Sequence, residues 1–166
     1  MNFKPIETDE NVLVMPGAVV CGDVTVGEGT AFWFNSVCRA ELQPIKIGKN
    51  TNIQENATIH VMHDHPTTIG EGVIIGHNAV IHSKSIGDHT LIGMGSIIMG
   101  NTVIGENVVI GAGTMIERDR KIPSNSLVYG NPAQIVRGLR DDEIEALQES
   151  SLRYRKVAEH YKEAAE

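Results

Sequence analysis

Three histidines stand inside a run of small aliphatic residues and glycines, where a structural repeat normally carries few ionisable side chains. They are His60, His77 and His82. Neutral imidazole nitrogens are common zinc ligands, and a tetrahedral zinc ion takes such nitrogens at about 2.0 to 2.1 Å. A single exposed histidine is usually only a solvated polar residue. The chemistry therefore depends on whether the chain brings these three rings together.

A six-residue aliphatic period runs through most of the chain and sets the positions of these histidines. The repeat residues are Val14, Val20, Val26, Phe32, Ile47, Ile53, Ile59, Ile69, Ile75, Ile81, Ile86, Ile92, Ile98, Ile104, Ile110, Ile116, Ile122 and Val128. This period fits neither an α-helix nor a long alternating strand, but it is typical of short strands joined by tight turns. Three such hexads make one triangular coil of about eighteen residues. The sequence therefore predicts a mainly β protein, a parallel β-helix prism.

The period slips at three places. Ten residues instead of six separate Ile59 from Ile69, so four extra residues are expected to bulge from a corner. One residue is missing in the segment 82–85, and the segment 37–47 is expected to form a loop or a loosened turn. Loops that interrupt a rigid repeat often carry function.

The repeat ends after Val128, and a different pattern follows. The tail begins with acidic residues suited to a helix N-terminus. An apolar stripe recurs there with helical spacing at Leu147, Tyr154, Ala158 and Tyr161. We predict a hexapeptide-repeat domain over 1–135 and, over 136–166, a C-terminal α-helix packed on the prism as part of the same unit. The alternative is a coiled-coil arm that binds another chain.

The repeat also predicts where the three rings lie. His60 and His82 each follow a core isoleucine directly, and their separation (82 − 60 = 22) equals one coil of about eighteen residues plus the four-residue bulge. They are therefore expected to stack on one face. His77 belongs to the preceding face, with Glu55 in the equivalent slot one coil earlier and Gln54 beside it. The third ring would reach the stacked pair from another copy, which predicts a homotrimer with the site between subunits.

The composition argues against several classes of partner. The formal net charge is −7 and the pI is about 5.5, without a Lys/Arg cluster, so neither nucleic acid nor a membrane surface is an expected partner. No apolar run approaches membrane-spanning length, and we expect a cytoplasmic protein. Cys21 and Cys38 form no CxxC pair and are expected to be free thiols. We expect His65, His89 and His160 to be solvated.

The segments around the histidines resemble a known family. They are RAEL (39–42), NIQENATIH (52–60), GHNAVIH (76–82) and GNPAQIVR (130–137). Together they resemble the γ-class carbonic anhydrases over nearly the whole chain, although hexapeptide acyltransferases share the last segment. The resemblance implies a left-handed coil, whereas general crossover rules would predict a right-handed one.

The same resemblance implies a metal centre and a reaction. Zn2+, with Fe2+ or Co2+ as alternatives, would be held by His60, His77 and His82 across the trimer interface. The reaction implied is the reversible hydration of CO2 to bicarbonate, which makes the protein a lyase. Water bound to zinc ionises near pH 7, and the resulting hydroxide attacks CO2.

Further positions match the family's functional residues. Gln54 is expected to orient the nucleophile and Glu55 to carry the proton outward. His63 does not match a family residue but lies near the position of the family's proton-shuttle glutamate, and it could carry the proton instead. Arg39 and Glu41 match an ion pair that would hold the subunit interface and, secondarily, bind bicarbonate.

The chain departs from the family pattern at Glu41 and Glu55, where aspartate is favoured, and at Ala40, which replaces a common glycine. Each glutamate is one methylene longer than aspartate, which could reduce activity because catalytic placement tolerates errors of only about 0.5 Å. Tyr154, on the predicted helix, is expected either to reach the substrate side of the site or to pack in the core.

Three other functions stay open on this scaffold. A metal-dependent acyl-CoA thioesterase would use the same zinc site on a thioester. A hexapeptide acyltransferase would need one basic histidine and a CoA groove but no metal. A catalytically weak structural trimer is favoured by the departures at Glu41 and Glu55.

Overall fold

The chain forms a prism of short strands followed by one helix. The computed structural model describes residues 7–9 and 11–165, and the side chains only as far as residue 161. In chain order the elements are β1 (Glu7–Thr8), β2 (Leu13–Val14), β3 (Val19–Val26), β4 (Ala31–Phe32), β5 (Val37–Ile47), β6 (Asn52–Ile53), β7 (Thr58–His60), β8 (Thr67–Ile69), β9 (Ile74–Ile75), β10 (Val80–Ile81), β11 (Ser85–Ile86), β12 (Leu91–Ile92), β13 (Ile97–Ile98), β14 (Val103–Ile104), β15 (Val109–Ile110), β16 (Met115–Ile116), β17 (Lys121–Ile122), β18 (Ser126–Tyr129), β19 (Gln134–Gly138) and α1 (Asp141–Ala165).

The strands stack in parallel on three faces. The histidine face contains the first halves of β3 and β5, then β7, β10, β13 and β16. A second face contains β1, the second halves of β3 and β5, then β8, β11, β14 and β17. The third, which we call the groove face, runs from β2 through β4, β6, β9, β12, β15 and β18 to β19, whose pairing with β18 is antiparallel. The predicted parallel hexapeptide-repeat fold with a C-terminal helix is thus confirmed.

The inward side chains of the three faces fill a narrow aliphatic core. Each face contributes one buried column, such as Ile59, Ile81 and Ile98 on the histidine face. Full burial of an isoleucine side chain stabilises the fold by roughly 1.5 to 3 kcal/mol. Because adjacent coils are in register, the residue after each core isoleucine stands directly above its counterpart in the coil before.

The corner between the groove face and the histidine face is built by asparagines with left-handed backbone. Asn56 and Asn78 have φ values of 60° and 58°, a conformation that asparagine tolerates better than most residues. The Asn78 amide donates to the Glu55 carbonyl at 3.0 Å, and the Gly95 amide to the His77 carbonyl at 2.8 Å. These bonds stack His77 directly on Glu55.

The segment 37–47 differs from the predicted loop, because it is the continuous strand β5. Its first residues pair with β7 and its last with β8, so the strand turns from one face to the next without a separate corner. The extra residues are absorbed in a β-bulge, since Gly22 pairs with Ala40 and Val24 with Ile45. Residues 41–44 therefore stand opposite a single residue of β3. A bulge of this kind redirects side chains and is common beside functional sites.

The predicted four-residue insertion appears as a loop over 61–66 between β7 and β8. It is anchored by Met62, which is 9% exposed. The Met62 side chain packs against Gly100 so closely that a Cβ atom at position 100 would lie 2.9 Å from its sulfur. The loop leaves the prism at the end of β7, next to His60. It therefore lies beside the stacked histidines.

Helix α1 packs on the prism through Leu147, Ser151 and Ala158. It begins at Asp141, after β19 has extended across the predicted boundary at residue 136. Glu143 fixes its first turn by accepting the Arg140 backbone N–H at 2.9 Å. Among the described residues, no helix has the length and hydropathy to cross a membrane.

Candidate metal centre

His60 and His82 form a stacked pair on the histidine face. His60 ends β7, His82 follows β10, and the two strands pair Ile59 with Ile81. The ring centroids are 5.0 Å apart with 29° between the planes, and His60 Nδ1 lies 2.9 Å from His82 Nε2. The predicted stacking is confirmed, and each ring turns a nitrogen toward the other.

The pKa of His82 lies below its ordinary value of 6.5. Burial of the ring is the main cause, because it disfavours the charged form, and the neighbouring His60, Arg118 and His65 act in the same direction. His82 is therefore neutral at physiological pH, which is the form that offers a lone pair to a metal ion.

Glu41 supports this pair from the bulge of β5. Its Oε1 lies 2.9 Å from His60 Nε2, and the Arg39 guanidinium donates to the same oxygen. The Glu41 side chain is 8% exposed, and its Oε2 is buried without a hydrogen-bond partner among the described residues. Burial acts to raise the pKa of Glu41, but the hydrogen bond from His60 and the positive charge of Arg39 outweigh it, so the pKa lies below its ordinary value.

His77 stands on the corner, apart from the stacked pair, and contacts two predicted site residues. Its Nδ1 lies 2.7 Å from Glu55 Oε2, and its backbone N–H donates to Gln54 Oε1 at 3.2 Å. A carboxylate only accepts hydrogen bonds, so neutral His77 carries its proton on Nδ1 and leaves Nε2 free. Gln54 is 5% exposed and held in place by this contact.

The imidazoles of His60, His77 and His82 offer nitrogen atoms, which are common ligands of zinc. Two nitrogens bound to one tetrahedral zinc at ~2.0 to 2.1 Å lie about 3.3 Å apart, so the 2.9 Å pair needs only a slight opening. Glu41 contacts His60 and Glu55 contacts His77. Zinc-binding imidazoles usually donate their other ring N–H to a carboxylate in this way. In the portion of the chain that is described, no three His, Cys, Asp or Glu side chains gather into a metal-binding group. One copy of the chain thus supplies the stacked pair of His60 and His82 and, apart from that pair, the ring of His77.

An open groove runs along the groove face and ends at His77. It encloses about 450 Å³, with Ile74, Leu91 and Val109 on its floor. Tyr129 closes one end, and Tyr154 reaches it from α1. Tyr154 is half-buried and also lines a smaller pocket of about 170 Å³. This position fits the predicted substrate side of the site.

The remaining predicted residues lie around the histidine face. Arg39, whose side chain is 49% exposed, leans across the surface to Glu41. His63 is exposed in the loop 61–66, where its carbonyl accepts a hydrogen bond from Gln43 Nε2 at 3.1 Å. The His63 ring is therefore accessible to solvent.

The expectation that His65 and His89 are solvated is wrong, although His160 is exposed. The His65 side chain is only 11% exposed, because its loop folds back toward His82, and its buried Nε2 has no hydrogen-bond partner among the described residues, although Asp64 Oδ1 lies 3.8 Å away. His89 has a buried Nδ1 that lies under Gly72, at the corner covered by α1. The apolar Met62 in the loop was the sequence signal that this loop is anchored rather than free.

Comparisons with known proteins agree with this fold. Residues 83–118 match the family model "Bacterial transferase hexapeptide (six repeats)", and 44–83 match "Hexapeptide repeat of succinyl-transferase". The chain is 44% identical over 150 residues to a probable carbonic anhydrase of Methanocaldococcus jannaschii, covering 90% of this chain and 94% of the relative. It is 36% identical over 157 residues to the mitochondrial gamma carbonic anhydrase 1 of Arabidopsis thaliana.

A solved structure has the same fold. A hexapeptide transferase family protein from Anaplasma phagocytophilum superposes with a TM-score of 0.88 at 32% identity, covering 94% of this chain and 92% of that one. Fold and site together define a hexapeptide-repeat protein with paired surface imidazoles. The chain belongs to the γ-class carbonic anhydrase family. It spans 57% of the length of the Arabidopsis relative, with 91% of its own residues aligned.

Proposed function

We propose that the chain assembles as a homotrimer with the metal centre between subunits. The support is that His77 lies on a corner while His60 and His82 lie on a flat face, so a corner of one copy can meet the face of the next. An apolar column borders the pair on that face. Its members Val19, Val80 and Ile97 are 49%, 40% and 42% exposed, which is typical of a surface that another chain covers.

We propose that this centre catalyses the reversible hydration of CO2 to bicarbonate, with Zn2+ as the metal and Fe2+ or Co2+ as alternatives. The observation that carries the proposal is the His60–His82 pair, backed by the Glu41 carboxylate, in a chain of the γ-class family. Zinc, when bound, supplies a Lewis acid that makes water nucleophilic at neutral pH.

The chain's own residues would orient the reactants and move the proton. Gln54 Oε1 already accepts the His77 amide, so its side-chain N–H groups remain to hold an oxygen of water or CO2. Hydration joins the water oxygen to the CO2 carbon and releases one proton, which Glu55 or the exposed His63 would accept. Arg39 would hold the interface and bind bicarbonate at its entrance.

Stopped-flow CO2 hydration by zinc-loaded protein tests the proposal. We expect His82→Ala to lose activity by at least about 100-fold, because it removes a ligand of the metal. His160→Ala, at an exposed position on α1, is the matched control and should keep full activity. A wild-type protein no faster than His82→Ala would overturn the assignment. Metal analysis of the purified protein separates all metal-dependent functions from an acyltransferase.

One observation favours a second candidate function, a metal-dependent acyl-CoA thioesterase. The groove beside His77 is apolar and encloses about 450 Å³, far more than CO2 requires. An acyl chain on Ile74, Leu91 and Val109 would place its thioester carbonyl near Gln54. Water would add to that carbonyl carbon, the carbon–sulfur bond would break, and the thiol would leave with a proton.

A charged residue in the groove distinguishes the two reactions. Val109→Glu places a carboxylate on the groove floor, where it opposes an acyl chain but is remote from CO2 at the histidines. The thioesterase predicts a rise in KM for long-chain acyl-CoA of at least about tenfold, because a buried charge costs several kcal/mol. The anhydrase predicts unchanged CO2 hydration. Absence of acyl-CoA hydrolysis in the wild type excludes the second candidate.

A further inference from the structure

The position of Glu41 suggests a role other than that of an interface ion pair. Because four residues of β5 oppose one residue of β3, the bulge turns Glu41 back along the histidine face. Its Oε1 reaches His60 Nε2 at 2.9 Å, although Arg39, two residues earlier, is the strand partner of His60. Most of the carboxylate is buried against this ring.

We propose that Glu41 is a positioning residue that holds His60 as its Nε2–H tautomer, so that Nδ1 is the atom presented to the metal. The inference rests on the metal centre of the proposed function and deepens it. A carboxylate only accepts hydrogen bonds, so the hydrogen between Glu41 and His60 belongs to Nε2, and in the neutral form of the ring Nδ1 carries no hydrogen. His60 Nδ1 then has a lone pair directed at His82.

The second contact of His60 fixes the arrangement of the pair. Because His60 Nδ1 is an acceptor, the 2.9 Å contact requires a hydrogen on His82 Nε2. In the metal-free protein one hydrogen thus joins the two rings. When a metal is bound, His60 Nδ1 and His82 Nε2 would be the atoms that hold it, so His82 would be the Nδ1–H tautomer while His60 keeps its own.

The length of the Glu41 side chain determines whether its carboxylate reaches His60. Aspartate at position 41 would be shorter by one methylene, about 1.5 Å, and would lose the 2.9 Å contact while staying near Arg39. The glutamate that departs from the family pattern is therefore the residue that this contact needs. Outer partners of this kind typically raise metal affinity by about 10- to 100-fold.

Two measurements test the proposal. Nitrogen-15 NMR of histidine-labelled, metal-free protein should show His60 as the Nε2–H tautomer in the wild type and a mixture in Glu41→Ala. Zinc affinity, measured by competition with a chromophoric chelator, should fall about 10- to 100-fold in both Glu41→Ala and Glu41→Asp. Arg39→Ala breaks the ion pair but leaves the contact with His60, so it should lose less zinc affinity than Glu41→Ala and keep the His60 tautomer. Glu149→Ala, at an exposed position on α1, is the control and should keep wild-type zinc affinity.

The outcomes separate this inference from the proposed function. Equal losses of zinc affinity in Arg39→Ala and Glu41→Ala would assign Glu41 to the interface and overturn the inference. Wild-type affinity in Glu41→Ala, an Nδ1–H tautomer of His60, or a wild-type protein that binds no zinc would do the same. If the expected affinities and tautomers are found but CO2 is not hydrated, the inference stands and the proposed reaction fails. Sedimentation of each variant shows whether the trimer is intact.

Discussion

Two glutamates each hold a histidine of the candidate site. Glu41 contacts His60 at 2.9 Å and Glu55 contacts His77 at 2.7 Å, so each ring has a fixed orientation before any metal binds. The repeat alone predicted the stacking of His60 on His82, because that depends only on register. It could not predict the glutamate contacts, since these depend on side-chain rotamers and, at Glu41, on the bulge.

Replacement of Glu55 tests the role of its contact with His77. We expect Glu55→Ala to weaken zinc binding by about tenfold, because His77 loses the carboxylate that fixes its tautomer. Chelator competition measures the affinity, with the exposed Glu71→Ala as control. Unchanged affinity, together with a CO2 hydration rate that external buffer restores, would instead make Glu55 a proton carrier alone.

The strand β5 shows how far a repeat predicts its own interruptions. The break in the six-residue period between residues 37 and 47 correctly located an irregularity. It could not show whether this irregularity is a loop or a bulged strand, because both can contain the same number of residues. Pairing with β3 on one side and with β7 and β8 on the other decided the outcome, because the backbone N–H and C=O groups of a central strand must be bonded. Such long-range pairing is not encoded in the local pattern.

The first turn of α1 is stabilised by an ionised glutamate. Glu143 receives two hydrogen bonds from Arg137 at 2.7 and 2.8 Å and one from the Arg140 backbone. These bonds, with the Arg137 contact as the main cause, lower the pKa of Glu143 to about 2. The folded-state pKa is thus below the ordinary value of 4.5, so the contribution is complete above that value and is lost as the pH falls toward about 2.

Thermal unfolding of Glu143→Gln over this pH range tests the effect. We expect the substitution to lower the melting temperature at neutral pH and to reduce its decline between about pH 5 and about pH 2, because the titrating group is gone. Glu149→Gln, on an exposed position of the same helix, should follow the wild type. Parallel curves for wild type and Glu143→Gln would contradict the assignment.

At the scale of the molecule, the groove arises from parts that are distant in sequence. Tyr154 of α1 meets the groove face at Gln54 and His77, and Trp33 packs edge-on against Tyr161 with centroids 5.3 Å apart. The sequence predicted the helix and its packing but not the volume it encloses, because that volume depends on how the helix crosses the prism.

Mixing two inactive variants tests the shared site. In the proposed homotrimer, His77→Ala and His82→Ala would each remove one ligand from every metal site. If His77 comes from one subunit and the stacked pair from the next, co-refolded mixtures regain about a quarter of the intact sites. Stopped-flow CO2 hydration measures the recovery.

A mixture of His60→Ala with His82→Ala is the control for this experiment. Both changes lie on the same face of one copy, so no interface regains a complete pair. Recovery in this control, or none in the first mixture, would show that the site is not divided between subunits as proposed.

The register of the coils has a consequence for how such a chain can vary. Each strand bonds only to the coil before and the coil after, and the histidines and their glutamates lie within residues 41–82. Duplication or loss of a whole coil beyond β13 would therefore lengthen or shorten the groove floor without moving an imidazole. The length of the groove and the arrangement of the proposed metal centre can therefore evolve separately.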